Sequence, residues 1–205
     1  MSKLAAAEKV YIRDRKALRS WFLKNYKTTE SFWLVYDKVK DGKRHLSYDD
    51  IVEESLCFGF IDSQPRKVSE TQASIYVSRR KKGSEWSKVN KLRIEKLHEA
   101  KLMTPAGQVV IDAAQKDGSW TKIDASENHV MPDDFARLLA KRKALAAHFA
   151  SLAPSTRKAF LHRLQSAKTD ATRAKRLEFL TQLLEVKIQP SELRAAFTKG
   201  IIPER

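Results

Sequence analysis

Apolar side chains recur along the chain first with mixed periods and then, past Gly83, almost wholly at helical spacing. Leu18, Trp21, Phe22 and Asn25 fall at offsets 0, 3, 4 and 7, so residues 4–25 are read as a helix whose solvated face carries Arg13, Arg15, Lys16 and Lys24. Residues 32–39, FWLVYDKV, are too short and too rich in aromatics and Val for a helix and predict a buried strand, closed by Asp41-Gly42. Ser47-Tyr48-Asp49-Asp50 has the form of a capping box, predicting a helix to about Phe58 with Ile51, Ser55 and Phe58 as one stripe, broken by Gly59. In residues 72–80, Ala73, Ile75 and Val77 alternate with Ser74, Tyr76 and Ser78. Together with residues 60–68 this predicts an antiparallel hairpin whose first strand Pro65 confines to an edge.

Ser87 can cap a helix carrying Val89, Leu92, Arg93, Lys96 and Leu97 and ending near Leu102. Thr104-Pro105 is the clearest start signal: an N-cap hydroxyl, then a proline where its missing N–H costs nothing. Val109, Val110, Ala113 and Ala114 are expected to form that helix's buried face, and Gly118 to stop it. Residues 118–132 are polar and aperiodic with Trp120 the one large anchor, and a linker is expected over 121–132. Three amphipathic helices follow, using Leu138, Leu145, Phe149 and Leu152, then Phe160, Leu161 and Leu164, then Leu177, Leu180 and Leu184, with Pro154 and Asp170 at the joints. A last short helix starts at Gln189-Pro190-Ser191, with Leu193 and Phe197 as its apolar contacts. The expected architecture is α+β: a core over 1–120 with a small antiparallel sheet, and a C-terminal three-helix bundle over 133–205.

Size agrees, because a chain of 205 residues that is 42% hydrophobic buries roughly 70% of its surface on folding. Charge adds a direction. Forty Lys and Arg against 25 Asp and Glu leave +15, a field that attracts polyanions such as RNA, DNA, anionic lipid or acidic protein without choosing among them. The single Cys57 forbids an internal disulfide, residues 1–10 hold no apolar run of signal-peptide length, and no stretch approaches the ~18 apolar residues of a spanning helix. A cytoplasmic protein is expected.

Familiar chemistries are mostly excluded. The five histidines, 45, 98, 129, 148 and 162, include no pair four apart, so no metal is expected. The six glycines are scattered, so neither a phosphate loop nor a dinucleotide fingerprint is present, and no cofactor is expected. No Ser sits in a G-x-S-x-G elbow. What remains is a polar and aromatic constellation: Cys57, Asp62, Arg79, Arg80, Trp86, Asn90 and Arg93, with Glu53 and Glu54 as acid–base candidates. Trp86, Asn90 and Arg93 at offsets 0, 4 and 7 would project an indole, an amide and a guanidinium from one helical face toward a small anionic or planar ligand. The bland alternative is that these groups pair among themselves as a buried network, with Cys57 a small hydrophobe. For non-specific phosphate contacts to nucleic acid the candidates are Lys81, Lys82, Lys141, Arg142, Lys143, Arg173, Lys175 and Arg176.

Several ordered blocks carry a family resemblance. Residues 32–36 (FWLVY), 46–63 (LSYDDIVEESLCFGFIDS), 78–81 (SRRK), 86–90 (WSKVN) and 103–107 (MTPAG), then 155–158 (STRK), 166–168 (SAK) and 172–176 (TRAKR), resemble the YdeI/OmpD-associated, or bacteriocin-protection, family over roughly residues 11–186. Phe60 stands where that family tends to have Trp, Asp37 interrupts a strand often longer, and residues 188–205 lie beyond the resemblance. The resemblance implies a soluble stress-tolerance protein linked to resistance against bacteriocins or cationic peptides, and brings no catalytic residues with it. A +15 protein is a poor direct sponge for cationic peptides, so protection is expected to act through an anionic small molecule, an acidic protein partner, a regulator or an envelope component.

Overall fold

The computed structural model describes residues 7–39 and 45–203, and the chain divides into two units, Met1–Thr121 and Lys122–Arg205. The expected start of the first helix near Leu4 and the Asp41-Gly42 turn lie outside the described residues. Within them, Lys9–Tyr11 forms a strand, β1, and the helix α1 spans only Arg15–Asn25. Asp14 sets that start as the N-cap, its backbone extended and its carboxylate accepting from the Ala17 N–H at 2.8 Å. The three residues of β1 are too few to show alternation, which is why a helix was expected to run through them.

β1 pairs in parallel with β2 (Ser31–Asp37), Lys9 opposite Trp33 and Tyr11 opposite Val35, so α1 is the crossover of a β-α-β unit. β2 pairs antiparallel with β4 (Gln72–Arg79), and β4 with β3 (Phe60–Lys67), giving the order β1-β2-β4-β3. The sheet is therefore mixed rather than antiparallel. Pro65 lies on the edge strand β3, beside a register shift between Asp62 and Pro65, where its missing donor costs the ladder little. The pleat sends Phe32, Leu34, Phe60, Ile75 and Val77 into a core completed by Leu18 and Phe22 of α1 and by Ile51 and Leu56 of α2 (Tyr48–Cys57). Phe22 stacks on Phe58 at 5.0 Å and 11°.

The remaining helices of this unit start where their caps direct. Ser47 and Asp50 close a reciprocal capping box on α2, Ser87 accepts from the Asn90 N–H before α3 (Lys88–Glu99), and Thr104 caps α4 (Pro105–Asp117), with Pro105 in its first turn. Gly118, at φ 78°, ends α4 in the left-handed region.

The second unit is helical: α5 (Asp124–Glu127), α6 (Asp133–Lys141), α7 (Lys143–Ser151), α8 (Pro154–Gln165), α9 (Asp170–Glu185) and α10 (Pro190–Lys199). The stretch expected as a linker holds α5, with Ser126 buried. The first expected helix of the bundle breaks at Arg142, whose guanidinium meets Glu185 at 2.6 Å. The three expected helices are thus joined by others in one cluster of Phe135, Phe149, Phe160, Leu161, Leu164, Leu180, Leu183, Leu184 and Ile188. Arg173 fastens α9 to α6 through paired bonds of 2.6 and 2.7 Å to Asp134. No helix among the described residues is long and apolar enough to cross a membrane.

Candidate functional site

β4 ends at Arg79, and the next residue, Arg80, donates its N–H to the Gly59 carbonyl at 3.0 Å before the chain turns through Lys81, Lys82 and Gly83. That turn brings the chain back under the Arg80 side chain. Its Nη1 donates to the Glu85 carbonyl at 2.8 Å, and the guanidinium lies 3.6 Å from the centre of the Trp86 ring. Trp86 packs in turn on Trp120, centroids 5.0 Å apart, which fixes the indole as a platform.

Arg80 is only 7% exposed. No carboxylate among the described residues touches it, and its Nε and Nη2 have no hydrogen-bond partner. Burial lowers its pKa to about 10, with Asp62 only partly opposing through its field, so the group still carries its charge at neutral pH. A buried cation without a counter-charge and with two idle donors is costly, and most proteins avoid it.

α4 forms the wall facing this cation. Two glycines allow its close approach: a Cβ on Gly107 would lie 2.5 and 2.6 Å from the carbonyl oxygens of Cys57 and Leu56, and one on Gly59 would lie 2.8 Å from Val110. Gly59 is also at φ 78°, the left-handed turn that carries α2 into β3. Thr104 Oγ1 donates to the Cys57 carbonyl, pinning the start of α4 to the end of α2.

Along α4 open two adjoining hollows, the two lobes of the candidate site. The smaller, about 180 Å³, is lined by Lys81, Lys82, Gly83, Trp86, Ala113 and Asp117. The larger, about 400 Å³, is lined by Tyr26, Phe58, Gly59, Arg79, Pro105 and Ala106. Both lobes are bordered by Arg80, Val109 and Val110. The stripe expected to be the buried face of this helix is therefore largely the wall of the hollow. Gly107, Ile111 and Ala114 are the buried residues of α4, while Val109 is 65% exposed and Ala113 is exposed. At the far end Asp117 accepts from the Ser119 N–H at 2.9 Å, and hydrogen bonds from Ser119 hold its carboxyl below the usual carboxylate range.

The expected constellation is divided among several places. Trp86 precedes α3, with Ser87 extended as its N-cap, so 86, 90 and 93 do not share a helical face. Asn90 accepts from Arg93 at 3.1 Å, and Arg93 also pairs with Asp49. A separate hollow of about 280 Å³ there is lined by Asp49, Glu53, Val89, Leu92, Arg93 and Lys96. Arg79 borders the larger lobe but is engaged by Glu30 at 2.9 Å and by the Tyr26 carbonyl. Asp62 accepts from the Tyr48 hydroxyl at 2.9 Å, and burial, then this bond, pushes that phenol up to about 12.

Glu54 is 1% exposed and meets Arg15 at 2.9 Å and Arg19 at 3.0 Å. Glu53 meets Arg15 at 2.7 Å. Cys57 is fully buried, and burial, followed by the charge of Glu54, pushes its thiol up to about 11. It behaves as a small hydrophobe. Among the basic candidates, Lys81 and Lys82 stand exposed at the rim of the smaller lobe, and Lys141, Lys143 and Lys175 are exposed. Arg142 and Arg173 are committed to Glu185 and Asp134, and Arg176 donates to the Arg163 carbonyl and Ser166 Oγ.

The hollow-lining Tyr26, Phe58, Pro105, Val109 and Val110 were not among the expected site residues. One signal for them exists in the sequence: α4 carries more apolar residues around its circumference than a single packing face requires.

Comparison with known families divides at the same place as the structure. Residues 128–186 match the family described as Bacteriocin-protection, YdeI or OmpD-Associated, and residues 10–110 match a Domain of unknown function (DUF8412). The expected resemblance is borne out over the first of these segments, which lies in the helical unit. No curated protein and no solved structure matches the chain.

Proposed function

We propose, on the premise that the helical unit carries a bacteriocin-protection segment, that the chain serves such protection as a binding protein, its first unit holding a small anionic ligand over Arg80. The observation that carries this reading is the buried, uncompensated guanidinium at the junction of two open lobes. An anion entering there supplies the missing counter-charge. A short slide of the guanidinium across the indole keeps the stack and turns the Nε–Nη2 edge, two parallel N–H donors, toward it. Lys81 and Lys82 at the rim raise the local concentration of anions.

An anionic ligand also fits the +15 charge better than direct capture of a cationic peptide, which like charge opposes. The carboxylates that the sequence offers as a base are tied down: Glu54 by two arginines and Glu53 by Arg15.

A thermal-shift and calorimetric panel of acetate, inorganic phosphate, dicarboxylates and nucleotides at low ionic strength tests the reading. A ligand at a hundred times its Kd stabilises the fold by about 2.7 kcal/mol, which raises Tm by several degrees. At least one anion should do so with the wild-type protein and lose the effect with Arg80→Gln. Absence of any shift, or shifts that survive that substitution, would overturn the proposal.

A further inference from the structure

We infer that the anion is an amphiphilic monocarboxylate, its carboxylate at Arg80 and its apolar body along α4. This inference rests on the anion-binding reading and adds the ligand's class.

Three observations specify the body, the charge and the head. The body follows from α4, whose 13 residues give a wall about 18 Å long. On that wall Pro105, Ala106, Val109, Val110 and Ala113 all line the hollow, and across the larger lobe stand Tyr26 and Phe58. A ligand that is only a charge leaves this surface wet. Val109, 65% exposed at the border of both lobes, is an apolar side chain that a bound apolar body would cover. The larger lobe, about 400 Å³, is ample for an aromatic ring or a short alkyl chain, since an apolar cavity of ~150 Å³ already accepts benzene in another protein.

The count of charges follows from what faces Arg80. One buried cation stands at the junction, Arg79 is already held by Glu30, and of the two lysines at the rim of the smaller lobe Lys82 already acts on the carboxylate of Asp117, which closes that lobe. A second negative charge on the ligand would have to pass Asp117 to reach Lys81 at the solvent-exposed rim in one direction, and would meet the apolar wall in the other. A monoanion avoids both. The head follows from the idle donors: Nε and Nη2 are the side-on fork of a guanidinium, and their spacing matches the two oxygens of a carboxylate.

The class predicts a chain-length law. In a series from acetate through butyrate and hexanoate to octanoate, all below micelle-forming concentrations, affinity should rise about fourfold for each methylene buried. Octanamide, the same body without charge, should bind at least tenfold more weakly than octanoate. Arg80→Gln should abolish that preference. Val109→Asn, a change at an exposed position that leaves the core untouched, should flatten the rise with chain length and leave acetate binding as it was.

The failures are distinguishable. Arg80-dependent binding of acetate or phosphate with no gain along the series would overturn the amphiphile and leave the anion site standing. Equal binding of octanamide and octanoate would overturn the role of charge. No binding by any member would remove both.

Discussion

Cys57 shows how little a residue's type says until its surroundings are fixed. In the sequence the lone thiol reads as one member of a polar constellation or as a small buried hydrophobe. In the fold it is fully buried, and burial, then the neighbouring Glu54, pushes its pKa up to about 11. The thiolate is therefore scarce at neutral pH. A thiol reagent at pH 7.5 should leave the native protein unlabelled over hours and label it within minutes in denaturant, with native labelling rising only as pH approaches 11. Rapid stoichiometric labelling of the native protein at pH 7.5 would contradict this placement. Arg80 is the opposite case, a residue that reads as one member of a basic run, Arg79 to Lys82, and differs from its neighbours only through burial. No property of the sequence separates it from Lys81, because a charge run records composition and not which side chain folds inward.

At the scale of elements, Gly107 decides how close α4 comes to the end of α2, and so the shape of the hollow. Its Cβ would meet two backbone carbonyls at 2.5 and 2.6 Å, and backbone cannot swing aside as a long side chain can. Gly107→Ala should therefore cost about 2 kcal/mol in urea unfolding despite the better helix propensity of alanine. An unchanged or raised stability would mean that α4 sits farther away.

The helix starts were legible because caps are local. Ser47, Ser87 and Thr104 act on N–H groups within three residues, and Gly118 acts at its own φ. What was hidden depends on distant partners. β1 is a strand only because β2 lies beside it. The break at Arg142 has no capping side chain to announce it and is accompanied by a pairing with Glu185 forty-three residues away. The apolar stripe of α4 was visible as a stripe, but periodicity cannot say whether it meets a core or an open hollow.

For the molecule as a whole, both units contain carboxyls held below their usual range, Asp14 and Asp50 in the first and Asp134 in the second. In the helical unit Arg173 holds the Asp134 carboxyl below its usual range through paired hydrogen bonds, with burial partly opposing. A carboxyl whose folded pKa is depressed stabilises the fold fully above its unfolded value near 4 and loses that contribution as pH falls through the folded value. The thermal stability of the helical unit should accordingly fall on acidification below about pH 4, and Asp134→Asn should be less stable at pH 7 and lose less on acidification. Equal slopes in the two proteins would show that the pair is not formed.

The central claim concerns one guanidinium, and the measurement that meets it most directly is the 15N–1H signal of the Arg80 side-chain Nε–H, assigned by its loss in Arg80→Lys, during titration with octanoate. The signal should move saturably and downfield in the proton dimension as the idle donor gains an acceptor. Octanoate that binds while the Arg80 signal stays fixed would place the ligand elsewhere and contradict the account.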